Sequence, residues 1–382
     1  MSLVIFILIL GILVLIHEFG HFIVAKKNNV KVEEFGFGLP PRIFGIKKGE
    51  TLYSINLIPL GGFVKLFGEE YAEIDPKDNK KDKNRAFIYK KPWQKAVIIA
   101  AGVFMNLFLG VGIFYFTLLT NNFRSEPMPV FMPIDFKYGT QEKQVIIAGV
   151  NRDSPARKAK IQVEDVVLGY KSGDNDWQSI KSASEFVNLI KNTKDSPISF
   201  HLQNNKNGDT KTVTIIPIFE KDLNRYIIGV NLADVVSIKY QTPTEKLLSG
   251  FYHSYNLIDY NFKVISKLFS TAVKEKDVST VSHAFSGPIG IFAVIEDTVK
   301  SSGKKLITNL LNITGLLSLS LAMMNILPFP ALDGGRMIFV IYEWVAKRRP
   351  NKDIERTVNF VGFVILILLG VLVSINDIVK FF

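Results

Sequence analysis

The sequence predicts a polytopic α-helical membrane protein of about four transmembrane helices, with a membrane-associated β-hairpin and one extracytoplasmic α/β domain. Four apolar runs, roughly 3–25, 97–119, 306–327 and 358–376, are each about as long as a helix needs to cross a bilayer. Between the first two lies a stretch too apolar for an ordinary loop. Between the second and third lies a long stretch of short β-rich runs.

The first run, LVIFILILGILVLIHEFGHFIVAK, passes without a break into His-Glu-Phe-Gly-His. Four residues apart on a helix, His17 and His21 leave the same face about one turn apart. Two neutral imidazoles so placed can reach one zinc ion at about 2.0–2.1 Å. Glu18, beside the first of them, is then positioned to take a proton from the water that such a site activates. Ionisable groups at this depth are costly and mark function by default. The competing reading is a chance HExxH, or a satisfied core histidine pair.

The net charge of +11 is compatible with nucleic-acid binding, but its distribution follows membrane topology instead. Residues 26–95 carry 15 Lys+Arg against 9 Asp+Glu, and residues 328–357 six against four. The central stretch 120–305 is nearly balanced, 24 against 20. The positive-inside rule therefore makes the first and third loops cytoplasmic, and places the central region and both termini outside. No cysteine is present, so a disulfide framework and a thiolate zinc site are both ruled out. A cleaved signal peptide is not expected, since no basic residue precedes the first run and no A-x-A site follows it.

In the first loop, Phe35-Gly-Phe-Gly-Leu-Pro-Pro-Arg42 is turn-rich, and Ile55–Leu66 reads as two short strands about Pro59 and Gly61-Gly62. This hairpin either folds back to membrane level against protein or rests on the cytoplasmic face. Residues 69–92 are charged and low in apolar content, the composition of a mobile segment. Asn106 in the second run needs a partner, and helix packing is the expected role, helped by small residues at Gly110 and Gly112. From Gln144 a small mixed α/β module follows, with one helix at Ser182–Lys191; Trp177 and His201 are expected to pack or lie on its surface. Segment 244–271 is amphipathic, and Tyr252, Tyr255 and Tyr260 suit the lipid–water interface. Anchored so, the module would sit over the site as a sieve. His253 and His283 are expected to be solvated or capping.

The third run is unusually polar (Asn309, Asn312, Thr314, Ser318, Ser320, Asn325) and should face a bundle interior. It runs into Asn325-Ile-Leu-Pro-Phe-Pro-Ala-Leu-Asp-Gly-Gly335, where two prolines break the helix and two glycines permit close backbone approach. A catalytic zinc site wants three protein ligands. Asp333 is the best candidate for the third, against the plainer reading of an Asp-Gly turn.

Taken together, HEFGH, FGFGLPPR, INLIPLGGFVKL, Asn106, SGPIG at 286–290 and NILPFPALDGG resemble the site-2 protease family of intramembrane zinc metalloproteases, most closely its bacterial regulator-of-sigma-E branch. The resemblance implies one zinc ion held by His17, His21 and Asp333, with Glu18 as general base. It also implies that Asn325 and the hairpin, with Gly61, Gly62 and Val64, hold substrate. The central module resembles a circularly permuted PDZ domain through Gly149–Ala156 and Val163–Leu168, which would make Tyr226–Val230 a peptide-binding edge strand. Lys160 and Glu164 stand where relatives carry Gly, and Ala101 stands where the second-span motif usually has Gly.

The expected domains are 1–120, 121–243, 244–300 and 301–382. The expected location is a bacterial cytoplasmic membrane. The expected partners are single-span membrane protein substrates such as anti-sigma factors or remnant signal peptides, membrane lipid, and a peptide ligand at the PDZ-like domain, without nucleic acid. The alternatives are a catalytically silent scaffold binding peptides through that domain and, more weakly, a zinc transporter; the intact His17, Glu18, His21 and Asp333 argue against the scaffold.

Overall fold

Apolar side chains spaced three and four apart give α1 (Ser2–Lys27) its inward stripe: Phe6, Ile9, Leu13, His17 and Gly20 are buried along one face. His17 therefore points where the packing residues point. The computed structural model describes residues 1–69, 83–173, 175–204, 208–275 and 286–381. The chain divides into two units, Met1–Thr117 with His253–Phe382, and Leu118–Tyr252.

After α1 come β1 (Val32–Lys48) and β2 (Thr51–Leu66). The expected hairpin within 55–66 does not form. Residues 34–37 of β1 lie between two parts of β2, with Phe35 opposite both Tyr53 and Val64, and Phe37 opposite both Ile55 and Gly62. The two halves of β2 are thus separated by β1, and Gly61 (φ 90°) turns the chain between them. Leu39, Ile43, Phe44, Ile46, Ile55, Leu57 and Ile58 are exposed on this ribbon. Its Gly49-Glu50 turn is tied down by Lys26 and Arg85, 2.6 and 2.7 Å from the Glu50 carboxylate. The Arg85 hydrogen bond, helped by Lys26, holds that carboxyl down to about 2. Helix α2 (Pro92–Thr120) follows. Of the charged stretch 69–92, residues 70–82 lie outside the described residues.

The second unit is built on a six-stranded sheet. Its strands are β3 (Met128–Pro129), β4 (Thr140–Val150), β5 (Asp165–Ser172), β6 (Ile198–Asn204), β7 (Thr210–Ile215) and β10 (Val230–Lys239), in the order β3-β10-β4-β5-β6-β7. A separate pair is formed by β8 (Ile218–Glu220) and β9 (Arg225–Ile227). A short helix, α3 (Pro155–Lys158), is capped by Ser154. Helix α4 (Ala183–Thr193), capped by Ser182, buries Phe186 and Ile190 against Ile147, Val167 and Phe200. Lys160 and Glu164 have φ of 58° and 72°. These are left-handed backbone positions, which glycine adopts at least cost. Trp177 and His201 pack on each other with ring centroids 5.5 Å apart. The stretch Tyr226–Val230 is not one edge strand: Tyr226 pairs with Phe219 of β8, and Val230 opens β10 opposite Val150.

Beyond α5 (Pro243–Leu247) runs α6 (Ser249–Glu275). Of its three tyrosines only Tyr255 is exposed; Tyr260 is buried and Tyr252 stacks on Tyr138 at 4.1 Å. Two of the three tyrosines thus pack against the protein instead of presenting themselves to an interface. His253 is also buried, edge-on to Phe114 at 5.0 Å, rather than solvated or capping. Burial pushes its ring down to about 4. His283 lies outside the described residues.

Helix α7 (Pro288–Ser301) belongs to the core of the first unit, packing Ile291, Phe292 and Ile295 against Phe6, Ile9 and Leu13. The SGPIG motif at its start is a cap. Asp377 accepts from the Gly287 and Gly290 N–H groups at 2.9 and 2.8 Å, and a Cβ on either glycine would stand 3.0 Å from that carboxylate. The chain ends with α8 (Leu306–Ile326), α9 (Asp333–Ala346) and α10 (Lys352–Phe381). Helices α1, α2, α8 and α10 carry the four apolar runs and are long and apolar enough to cross a membrane. Ser318 of the polar third run is buried and donates to the Asn106 carbonyl at 2.7 Å, whereas Ser320 is exposed.

Candidate metal centre

Two helices bring the candidate ligands together, α1 with both histidines and α9 with Asp333. His17 Nε2 and His21 Nε2 lie 3.3 Å apart, and Asp333 Oδ2 lies 3.1 and 3.4 Å from them. Ligands at zinc bond lengths of about 2.0–2.1 Å in tetrahedral array stand about 3.3–3.4 Å from one another. The observed triangle has that size. Asp333 Oδ2 is buried and has no hydrogen-bond partner, although both imidazoles are at ion-pair distance. A carboxylate lone pair aimed at two ring nitrogens fits a shared cation. Among the described residues this is the one group of three His, Asp or Glu side chains that could hold a metal ion.

Each ligand is set by its own neighbourhood. His21 donates from Nδ1 to the Ile98 carbonyl at 2.8 Å, which leaves its Nε2 lone pair facing the cluster. The Nδ1 of His17 faces the side-chain amide of Asn106 at 3.2 Å. The packing role expected for Asn106 is therefore incomplete, since its amide reaches the site. Gly102, between these two contacts on α2, is the position that requires glycine: a Cβ there would stand 2.5 Å from His21 Nε2 and 2.7 Å from His17 Cε1. Ala101 is one residue out of that line.

Asp333 opens α9 after the broken segment. The two glycines behind it are compelled by space, because a Cβ on Gly334 would lie 2.1 Å from the Leu327 carbonyl oxygen and one on Gly335 2.2 Å from that of Phe329. Helix α10 braces the break from the other side: Asn359 accepts from the Ala331 N–H at 3.2 Å, and a Cβ on Gly362 would meet Pro330. Nothing in their local sequence marks Asn359 or Gly362.

Glu18 is not among the converging ligand atoms. The ribbon passes beside it. A Cβ on Gly62 would stand 3.3 Å from Glu18 Cγ and 3.1 Å from Val14. Residues 62–65 pair with 34–37 along one edge, and the other edge pairs with no strand among the described residues. Val64 lies on this segment opposite Phe35. Arg336, one turn past Asp333, forms an ion pair with Glu69 at the end of the ribbon. Asn325 sits half-buried in the last turn of α8 and forms no hydrogen bond to the three ligands among the described residues.

A His-His-Asp cluster with an adjoining glutamate, its histidines on a membrane-length helix, is the arrangement expected of a membrane metallopeptidase. The chain belongs to peptidase family M50, the site-2 proteases, whose model matches residues 5–369. A protein of Clostridium acetobutylicum with the provisional name zinc metalloprotease is 31% identical over 99% of this chain and 97% of its own length. The zinc metalloprotease RasP of Oceanobacillus iheyensis is 27% identical over 100% of this chain and 99% of its own. The chain is a zinc-dependent metalloendopeptidase. Among solved structures, the PDZ domain of an SdrC-like protein of Listeria monocytogenes is similar to 26% of this chain and 93% of that one, at 19% identity and a TM-score of 0.20.

Proposed function

We propose that this protease cuts peptide bonds inside the transmembrane segments of single-span membrane proteins, with zinc on His17, His21 and Asp333. The observation that carries the reading is the triangle of candidate ligand atoms, 3.1–3.4 Å on a side, with both histidines on a helix long enough to span a bilayer and Asp333 at the start of the shorter helix α9. Zinc bound there supplies Lewis acidity, polarising a carbonyl and acidifying water toward neutral pH. Glu18 takes the proton from the attacking water and passes it to the leaving amine.

A substrate helix hides its carbonyls in its own i→i−4 bonds and must unwind before attack. The edge beside Gly62, which pairs with no strand among the described residues, offers the unwound strand main-chain partners next to Glu18. That arrangement keeps freed backbone groups satisfied at membrane level. The loop charge asymmetry supports a cytoplasmic ribbon and an extracytoplasmic Leu118–Tyr252 unit in a bacterial cytoplasmic membrane. Residues 230–233 of β10 pair with β4 on one edge and with no strand on the other among the described residues, and that edge is the place for a peptide ligand of that unit.

Glu18→Gln tests the assignment. The variant is expected to keep zinc, because Glu18 is not a ligand, while losing turnover and co-purifying with uncut substrate. Asp333→Ala is expected to lose both zinc and turnover. Wild-type cleavage by the first variant, or full zinc content in the second, refutes the respective role.

A further inference from the structure

Asn106 is fully buried on α2, yet only one end of its amide is accounted for. The Nδ2 end faces His17 Nδ1 at 3.2 Å, and Oδ1 has no hydrogen-bond partner. Its backbone is held, since the Asn106 carbonyl accepts from Ser318 Oγ at 2.7 Å. The two ends of an amide exchange by a half-turn about its last torsion.

The ring opposite decides which end is needed. Imidazole carries one proton on two nitrogens, so a His17 that offers Nε2 to a metal must carry its proton on Nδ1. An N–H at Nδ1 wants an acceptor. The amide nitrogen cannot be one; the amide oxygen can, and turning it there gives the buried oxygen a partner while the amide nitrogen takes its former place.

We infer that Asn106 is a positioning residue for the first zinc ligand: its side-chain carbonyl accepts the Nδ1–H of His17 and keeps Nε2 aimed at the Asp333–His21 cluster. The inference rests on the proposed ligand role of His17. Helix α2 then orients both histidines, His21 through the Ile98 carbonyl and His17 through Asn106, two turns apart, with Gly102 leaving room for the rings. With the amide in its other setting, His17 would carry its proton on Nε2, directed toward Asp333 Oδ2 rather than free to bind metal.

Zinc affinity of the detergent-purified full chain, measured by competition with a chromophoric chelator, separates this role from helix packing. Asn106→Leu keeps the volume and removes the acceptor, and it is expected to weaken zinc binding about 10–100-fold. Asn106→Asp keeps acceptor oxygens, and it is expected to bind zinc at least as tightly as the wild type. A packing role predicts the reverse, a tolerated leucine and a damaging buried aspartate. Wild-type affinity in Asn106→Leu, or equal losses in both variants, overturns the inference. His17→Ala is measured alongside. If it retains zinc the ligand reading itself falls, whereas loss in His17→Ala with retention in Asn106→Leu sinks only the role of Asn106.

Discussion

The packing of α2 against the two histidines makes Gly102→Ala a sharp perturbation. The added Cβ would sit 2.5 Å from His21 Nε2 and 2.7 Å from His17 Cε1, both inside ordinary contact. Restoring a contact of about 3.4 Å requires movements of about 0.9 and 0.7 Å, several times what a close-packed interior absorbs without cost. Neither ring moves freely, since His21 is bonded to Ile98 at 2.8 Å and His17 faces Asn106 at 3.2 Å. A displacement near 1 Å in a catalytic constellation costs about 100-fold in rate, and a disturbed ligand shell about 10–100-fold in metal affinity. Zinc titration by chelator competition, cleavage of a model substrate and far-ultraviolet circular dichroism together read the outcome. The variant is expected to lose affinity and turnover on those scales with its helix content intact. Gly112→Ala on the same helix is the control. Nothing lies within 4 Å of a Cβ there, and helix propensity alone predicts a gain of about 1 kcal/mol. Wild-type zinc affinity in Gly102→Ala would refute the packing account of the site.

Three other substitutions probe the surrounding scaffold. Gly62→Ala brings a methyl to 3.3 Å from Glu18 Cγ, so turnover is expected to fall several-fold while bound zinc is unchanged, as read by cleavage rate and metal analysis. Lys95 and Glu343 form a buried ion pair at 2.7 Å, joining α2 to the helix that Asp333 opens. Lys95→Met strands the carboxylate and is expected to cost toward the lower end of about 3–5 kcal/mol, because Arg349 stands 3.8 Å from it; thermal unfolding in detergent checks this. Burial lowers His253 from about 6.5 to about 4, so the unfolded chain binds its proton first on acidification. Stability is therefore expected to fall between pH 6.5 and 4, and His253→Phe to flatten that part of the pH profile of thermal unfolding.

The HExxH pair was legible because its spacing matches the helix period and its depth in an apolar run makes ionisable side chains costly. Asp333 was legible through the prolines and glycines around it, whose backbone consequences are local. What stayed hidden depends on partners distant in sequence. Ala101 and Gly102 are both small, and only the rotation of α2 decides which meets the histidines. The ribbon register was misread because Gly61-Gly62 looks like a hairpin turn. The halves it joins both pair with β1, a partner some twenty to thirty residues earlier. Asn106 could be flagged as needing a partner, but nothing local pointed its amide at His17. Tyr260 and His253 fit an amphipathic pattern whose inward face had to be buried against something, and periodicity does not say what.

The central claim is that the His17–His21–Asp333 centre works within a membrane segment. Its most direct test reconstitutes the full chain in liposomes with a single-span substrate and maps the new termini by mass spectrometry, for wild type and Glu18→Gln. The account predicts wild-type cuts inside the apolar span of the substrate, abolished by zinc chelation and absent with Glu18→Gln. Cuts confined to the substrate's soluble flanks, or the same cuts made by Glu18→Gln, would contradict it.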